Sequence, residues 1–147
     1  MTTQQPILLV EDNADDAELT IRAFREARIA NPIVHVTDGV EALDYLFRRS
    51  AYAARDTALP TMVLLDLKLP RLDGLAVLKA IRDYDATRNL PVIMMTSSDD
   101  DGDRLAAYDR HVNSYIKKPI NYDEFVAAAR QLGLYWIVLN LPAPVAP

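Results

Sequence analysis

Two acids, Glu11 and Asp12, stand directly after the apolar run at residues 6–10, and a third, Asp66, follows the run at 61–65. Thr96 follows the run at 91–95, and two lysines, Lys117 and Lys118, follow the one at 114–116. If those runs are neighbouring strands, three carboxylates, a hydroxyl and an ammonium meet at one edge of a sheet. Carboxylates that close raise one another's pKa, so all three stay ionised only beside a counter-charge. Oxygen donors without His or Cys select a hard cation, and Mg²⁺ binds through one or two carboxylates while keeping waters and a phosphoryl oxygen. Screened in this way, Asp66 becomes a nucleophile that an anionic phosphoryl group can approach, and the product is an acyl phosphate. A lysine ammonium and the Thr96 hydroxyl are then placed to hold phosphoryl oxygens. The chemistry predicted from these residues is phosphoryl transfer to Asp66.

The elements that must position them are legible in the hydropathy pattern. Short apolar runs at 6–10, 32–36, 61–65, 91–95 and 114–116 read as strands, and the segments between them carry helical spacing, as in Leu19 and Ala23, Ala42 and Leu46, or Leu75, Leu78 and Ile81. Strands that are apolar along their whole length are buried on both faces, which requires a parallel sheet with helices on each side. An α/β fold of the (βα)5 type, a doubly wound parallel sheet, follows. In such sheets ligands bind outside the carboxyl ends of the strands, where the strand order reverses. Asp38 with Gly39, Asp73 with Gly74, and Asn121 mark helix starts, and residues 48–60 are expected to form a surface loop or an extended helix end.

Composition narrows the remaining classes. A chain of 147 residues suits one domain, here 1–147 with a core over about 6–135, an extended C-terminal helix and tail over about 121–147, and no output domain. The formal charge of −5 argues against nucleic-acid binding, and no apolar run approaches the roughly 20 residues that span a membrane. With no cysteine, neither disulfides nor thiolate metal sites are available, and a start of "MTTQQP" lacks the features of a signal peptide, so a cytoplasmic location is expected. The four glycines form neither a P-loop nor a dinucleotide-binding fingerprint.

The segments "LLVEDN", "VLLDLKLPRLDGL", "VIMMTSS" and "YIKKP", in this order and spacing, resemble the receiver domain of two-component response regulators over about residues 6–135. The resemblance implies a flavodoxin-like sheet with strand order 2-1-3-4-5. It implies that Glu11, Asp12 and Asp66 bind Mg²⁺, with the backbone carbonyl of Lys68 completing the protein ligands. Asp66 would accept phosphate from the phosphohistidine of a sensor histidine kinase, and the acyl phosphate would later hydrolyse. In the family the functional lysine directly precedes proline, which selects Lys118 over Lys117, and strand alternation agrees. The same resemblance implies a cis bond between Lys118 and Pro119, and a switch pair of Thr96 and Tyr115. A narrower resemblance lies in "RHVNSYIKKP", the insertion before the third strand and the aromatic "LYWIVLNLP". It is to the single-domain regulators paired with cyanobacterial and bacterial phytochrome kinases, and implies a bacteriophytochrome partner.

Other polar features have plainer readings. Asp15 and Asp16 fall in a first helical turn, where acids oppose the positive end of the helix dipole, and are read as structural. The acidic run at 98–103 reads as a solvated loop and helix cap. His35 and His111 lack partners at ligand spacing. The apolar surplus of Leu132, Leu134, Tyr135, Trp136, Ile137, Val138 and Leu139 predicts a homodimer through the C-terminal helix region. Two rival functions are weaker. An aspartyl-nucleophile phosphatase typically carries a second acid two residues after the nucleophile, where this chain has Lys68. A degenerate receiver, acting as a phosphate-independent binding module, is disfavoured by the complete set of acids, threonine and lysine.

Overall fold

The computed structural model describes residues 5–55, 59–97, 100–118 and 121–132. All five apolar runs are strands: β1 Ile7–Val10, β2 Ile33–Val36, β3 Met62–Leu65, β4 Val92–Thr96 and β5 Ser114–Lys117. Pro6, Pro32 and Pro91 stop one residue short of a strand, where the missing N–H costs no ladder bond. Their carbonyls still accept, from the amides of Thr61, Ile7 and Val63 respectively. The helices are α1 Ala14–Glu26, α2 Gly39–Phe47, α3 Gly74–Asp83, α4 Asp101–Asp109 and α5 Tyr122–Leu132. The sheet is parallel throughout, in the order β2-β1-β3-β4-β5. The order reverses between β1 and β3, so the predicted convergence of strand ends is realised.

Alternation along each strand divides the core into two halves. Leu8, Val10, Val63, Leu65, Val92 and Met94 pack on one face with α2, α3 and part of α4, while Ile7, Leu9, Met62, Leu64, Ile93 and Met95 pack on the other with α1 and α5. Phe24 of α1 meets Phe125 of α5 edge to face at 5.9 Å. Helix starts follow the turn signals: Asn13, Asp38, Asp73 and Asp100 each cap a helix by accepting a backbone amide of its first turn. Asn121 accepts from the Glu124 amide at 3.0 Å in the same manner.

The insertion at 48–60 departs from the expectation of a plain loop or a longer α2. Arg48 adopts the left-handed conformation and ends the helix. The chain then makes a 3-10 turn at Ser50–Tyr52 and folds back, stacking Tyr52 edge-on against Tyr45 at 5.2 Å and laying the Arg55 guanidinium 4.2 Å over the Tyr45 ring. Aromatic and cation contacts thus replace an apolar stripe that periodicity would have shown.

Arg82, near the end of α3, ties together the ends of the sheet opposite the acids. Its guanidinium donates to the carbonyls of Arg88, Leu90 and His111 and to Asn113 Oδ1, which in turn accepts from the Val92 amide. Arg82→Ala should cost about 2–3 kcal/mol, because several charge-assisted bonds to backbone are lost together. Urea denaturation of the two chains measures it.

Candidate functional site

The carboxyl ends of β1 and β3 are stitched to their neighbours by backbone bonds that carry the acids into place. The Glu11 amide donates to Val36 of β2 at 3.0 Å, and the Asp66 amide donates to Val10 of β1 at 3.1 Å. Glu11 and Asp66 are thereby held in the last positions over the sheet, both buried, while Asp12 is exposed. One carboxylate oxygen from each of Glu11, Asp12 and Asp66 lies within 4.8 Å of the others. The three acids predicted to converge do converge.

Lys118, not Lys117, completes the group. Lys117 is exposed, whereas the Lys118 side chain is only 12% exposed and its Nζ contacts three carboxylates: Glu11 Oε1, Asp16 Oδ2 at 2.9 Å and Asp66 Oδ2 at 3.3 Å. Its amide donates to Thr96 at 2.7 Å, which fixes β5 against β4 beside the site. Thr96 itself ends β4 and is fully buried, and Tyr115 is half-buried in β5, packed against the α2–α3 side of the core. Lys68 donates its amide to Asp66 Oδ1 at 3.2 Å, and its ammonium lies 3.7 Å from Asp103 of α4. The Lys118–Pro119 bond and, beyond Leu132 at the end of α5, the C-terminal residues expected to dimerise lie outside the described residues.

Several contacts escape a reading of the chain alone. Asp16, assigned only to the helix terminus, is also a Lys118 partner across the fold. The Asn13 amide donates to Glu11 Oε2 at 3.2 Å, so both Glu11 oxygens are engaged. His35, treated as a bystander, sits with Nε2 2.8 Å from the Glu11 carbonyl and braces the loop that carries the acids. A cavity of about 530 Å³ opens from this site between α1 and α5, lined by Asp12, Asp16, Asp66 and Lys118 and by Leu19, Tyr122 and Phe125.

Charge dominates the energetics. Burial drives the Glu11 carboxyl up from 4.5 to about 7, with Lys118 opposing and Asp66 reinforcing the rise. Burial pulls the Lys118 ammonium down, but its bonds to Glu11 and Asp16 and the charge of Asp66 hold it above the ordinary lysine range. One contact thus strengthens the lysine's proton without freeing Glu11 of its own. A single ammonium divided among several acids cannot offset the burial of the deepest of them. The set is short of positive charge, and its donors are all hard oxygens, which fits a divalent cation such as Mg²⁺.

A pH dependence follows from Glu11. Between 4.5 and about 7 the folded chain holds a proton there that the unfolded chain does not, so this group stabilises the fold below 4.5 and the effect is lost as pH rises through about 7. Lys118, raised, keeps its contribution throughout that range. The metal-free melting temperature should therefore fall between about pH 5 and about pH 8, with this group contributing up to about 3 kcal/mol, and Mg²⁺ or Glu11→Gln should flatten the slope. Thermal melts in chelator and in Mg²⁺ across that range decide it.

The family model for the response regulator receiver domain matches residues 7–130. The chain belongs to the receiver domain family of two-component response regulators. A relative from Methanothrix harundinacea, the probable methanogenesis regulatory protein FilR2, is 40% identical over 91% of this chain and 84% of its own. Among solved structures, the bacteriophytochrome response regulator RtBRR is 45% identical with a TM-score of 0.80, over 96% of this chain and 85% of that one. The phosphorylated cyanobacterial phytochrome response regulator RcpA is 32% identical with a TM-score of 0.83, over 96% and 99%. As a receiver domain the protein works by phosphoryl transfer with histidine kinases as partners, and its fold is the flavodoxin-like one expected. Receiver domains bind Mg²⁺ at an acidic site, and the trio of Glu11, Asp12 and Asp66 is such a cluster. No helix among the described residues is long and apolar enough to cross a membrane.

Proposed function

We propose that Asp66 is the phosphoacceptor of this receiver, taking its phosphoryl group from the phosphohistidine of a bacteriophytochrome-type sensor kinase in the cytoplasm. The observation that carries the assignment is the convergence of Glu11, Asp12 and Asp66 with the Lys118 ammonium over one sheet edge. Asp66 Oδ2 lies against that ammonium and Oδ1 against the Lys68 amide, so the attacking carboxylate has a fixed orientation. Glu11, Asp12, Asp66 and the Lys68 carbonyl would hold Mg²⁺, which supplies the positive charge that lets an anionic phosphoryl group reach an anionic nucleophile. Lys118 and the Thr96 hydroxyl bind the transferred oxygens.

Transfer forms a P–O bond to Asp66 and breaks the P–N bond of the kinase histidine, which leaves with its electron pair. The chain is a phosphoacceptor assisting its own phosphorylation and hydrolysis rather than an enzyme acting on external substrates. Thr96 and Tyr115 form the switch: the hydroxyl moves toward the phosphoryl group and the ring fills the space it leaves, biasing a two-state surface. A homodimer through the C-terminal region would carry the output. The phytochrome pairing is supported by the likeness to RtBRR and RcpA.

Two experiments test the reading. Incubation with acetyl phosphate should label the chain only when Mg²⁺ is present; equal labelling in chelator would remove the metal from the mechanism. Purified autophosphorylated bacteriophytochrome kinase should transfer label to this chain within minutes, faster than a histidine kinase of unrelated sensor type. Equal rates from both would sink the pairing.

A further inference from the structure

Lys118 has three N–H donors and three carboxylates around it. Two of those, Glu11 and Asp66, belong to the trio whose oxygens converge for a cation; Asp16 does not. When a cation draws Glu11 and Asp66 toward itself it repels the neighbouring ammonium and competes for the same oxygens. The lysine then needs an acceptor outside the trio that still leaves it beside Asp66. We propose that Asp16 is a positioning residue of this site: it retains the Lys118 ammonium next to Asp66 when a divalent cation takes Glu11. The inference rests on the Mg²⁺ site proposed above.

Asp16 is built for this. Its amide donates to the Asn13 cap at 3.0 Å and its carbonyl accepts from Thr20 Oγ1 at 2.9 Å, so the backbone of the carboxylate is pinned on both sides. It lies in the first turn of α1, where an acid opposes the positive end of the helix dipole. Its side chain is 39% exposed, enough for water to support the charge, while the lysine it holds is nearly enclosed. Asp15, adjacent and equally acidic, is exposed and is not among the three carboxylates that bind Lys118, which makes it a control for net charge alone.

The test is a double-mutant cycle read by calorimetric titration of Mg²⁺ into the full chain, with no phosphodonor present. Asp16→Asn should weaken Mg²⁺ binding about tenfold, as the loss of a supporting partner usually does, whereas Asp15→Asn should change it by about twofold or less. Asp16→Glu, which keeps charge and acceptor, should recover most of the affinity. In a Lys118→Met background, or Lys118→Gln should that variant not fold, Asp16→Asn should have no more effect than Asp15→Asn. The proposal is overturned if Asp16→Asn matches Asp15→Asn in the natural background, or if its full effect persists without the lysine. A natural chain that binds no Mg²⁺ would overturn the underlying site as well, so the two failures are distinguishable.

Discussion

Asp66→Asn should abolish labelling by acetyl phosphate, lowering the rate by roughly a thousandfold or more, as removal of a nucleophile does elsewhere. The substitution is nearly isosteric, and the amide oxygen can still accept from the Lys68 amide or from Lys118, so the fold should persist. What disappears is the anionic oxygen that forms the new bond to phosphorus as acetate departs. The amide nitrogen offers no substitute, because its lone pair is delocalised. Two other acids stand close enough to compete. Glu11 is more deeply buried than Asp66, 3% exposed against 9%, so it is the less accessible to a phosphodonor. Asp12 is exposed, and is the acid of the trio left to accept in its place. Mass analysis of the intact chain after incubation with Mg²⁺ separates the cases. Label that survives in Asp66→Asn would move the acceptor to Asp12 and refute the proposed chemistry. Asp12→Asn, in contrast, should weaken Mg²⁺ binding while leaving Asp66 able to react at high metal.

The parts of this site that were readable from the chain are those governed by local rules. Each acid, the threonine and the lysine follow an apolar run directly, and runs buried on both faces force a parallel sheet whose carboxyl ends gather such residues. The choice between the two lysines came from the resemblance, with strand alternation in agreement: Lys118 shares the parity of Ile116, on the α1–α5 face, and reaches Asp16 and Glu11. The caps were equally local. What escaped depends on contacts between distant positions. Asp16 does start a helix, as its position predicted, and nothing near it in the chain reveals a lysine 102 residues away. His35 meets a backbone carbonyl, for which no residue pattern exists. Arg82 bonds mostly to carbonyls, again invisible in composition, and the fold-back of Tyr52 and Arg55 onto Tyr45 uses ring faces rather than periodicity. Polar networks that close on the main chain are the part of a fold that hydropathy reads least well.

Gly74→Ala is the substitution for which local and tertiary rules predict opposite signs. Gly74 is the first residue of α3, and helix propensity alone would make alanine better there by up to about 1 kcal/mol. The surroundings say otherwise: a Cβ at this position would lie 2.2 Å from the Asp66 carbonyl oxygen and 2.7 Å from Leu67 Cα. Both are main-chain atoms, and neither can yield alone. The Asp66 amide is tied to Val10 of β1, and Gly74 itself donates to the Leu67 carbonyl at 2.7 Å. Relief therefore requires the turn at 66–73 to move as a unit away from the helix. Overpacking of this kind costs about 1–3 kcal/mol and here involves backbone on both sides, so a net loss of about 2 kcal/mol should outweigh the gain in propensity. The displaced turn carries Asp66, and a misplacement of about 1 Å can slow a positioned reaction about a hundredfold. Phosphorylation should therefore suffer beyond what unfolding explains. Gly102→Ala supplies the comparison, since in the first turn of α4 its Cβ would meet only the end of the Asp100 side chain at 3.0 Å, a flexible tip that need yield only slightly and can keep its cap bond to the Gly102 amide. That variant should be neutral or slightly stabilising. Urea denaturation and acetyl phosphate labelling of both variants are decisive: a Gly74→Ala chain as stable and as reactive as the natural one would mean that the close approach of α3 to the Asp66 peptide does not hold the acceptor in place.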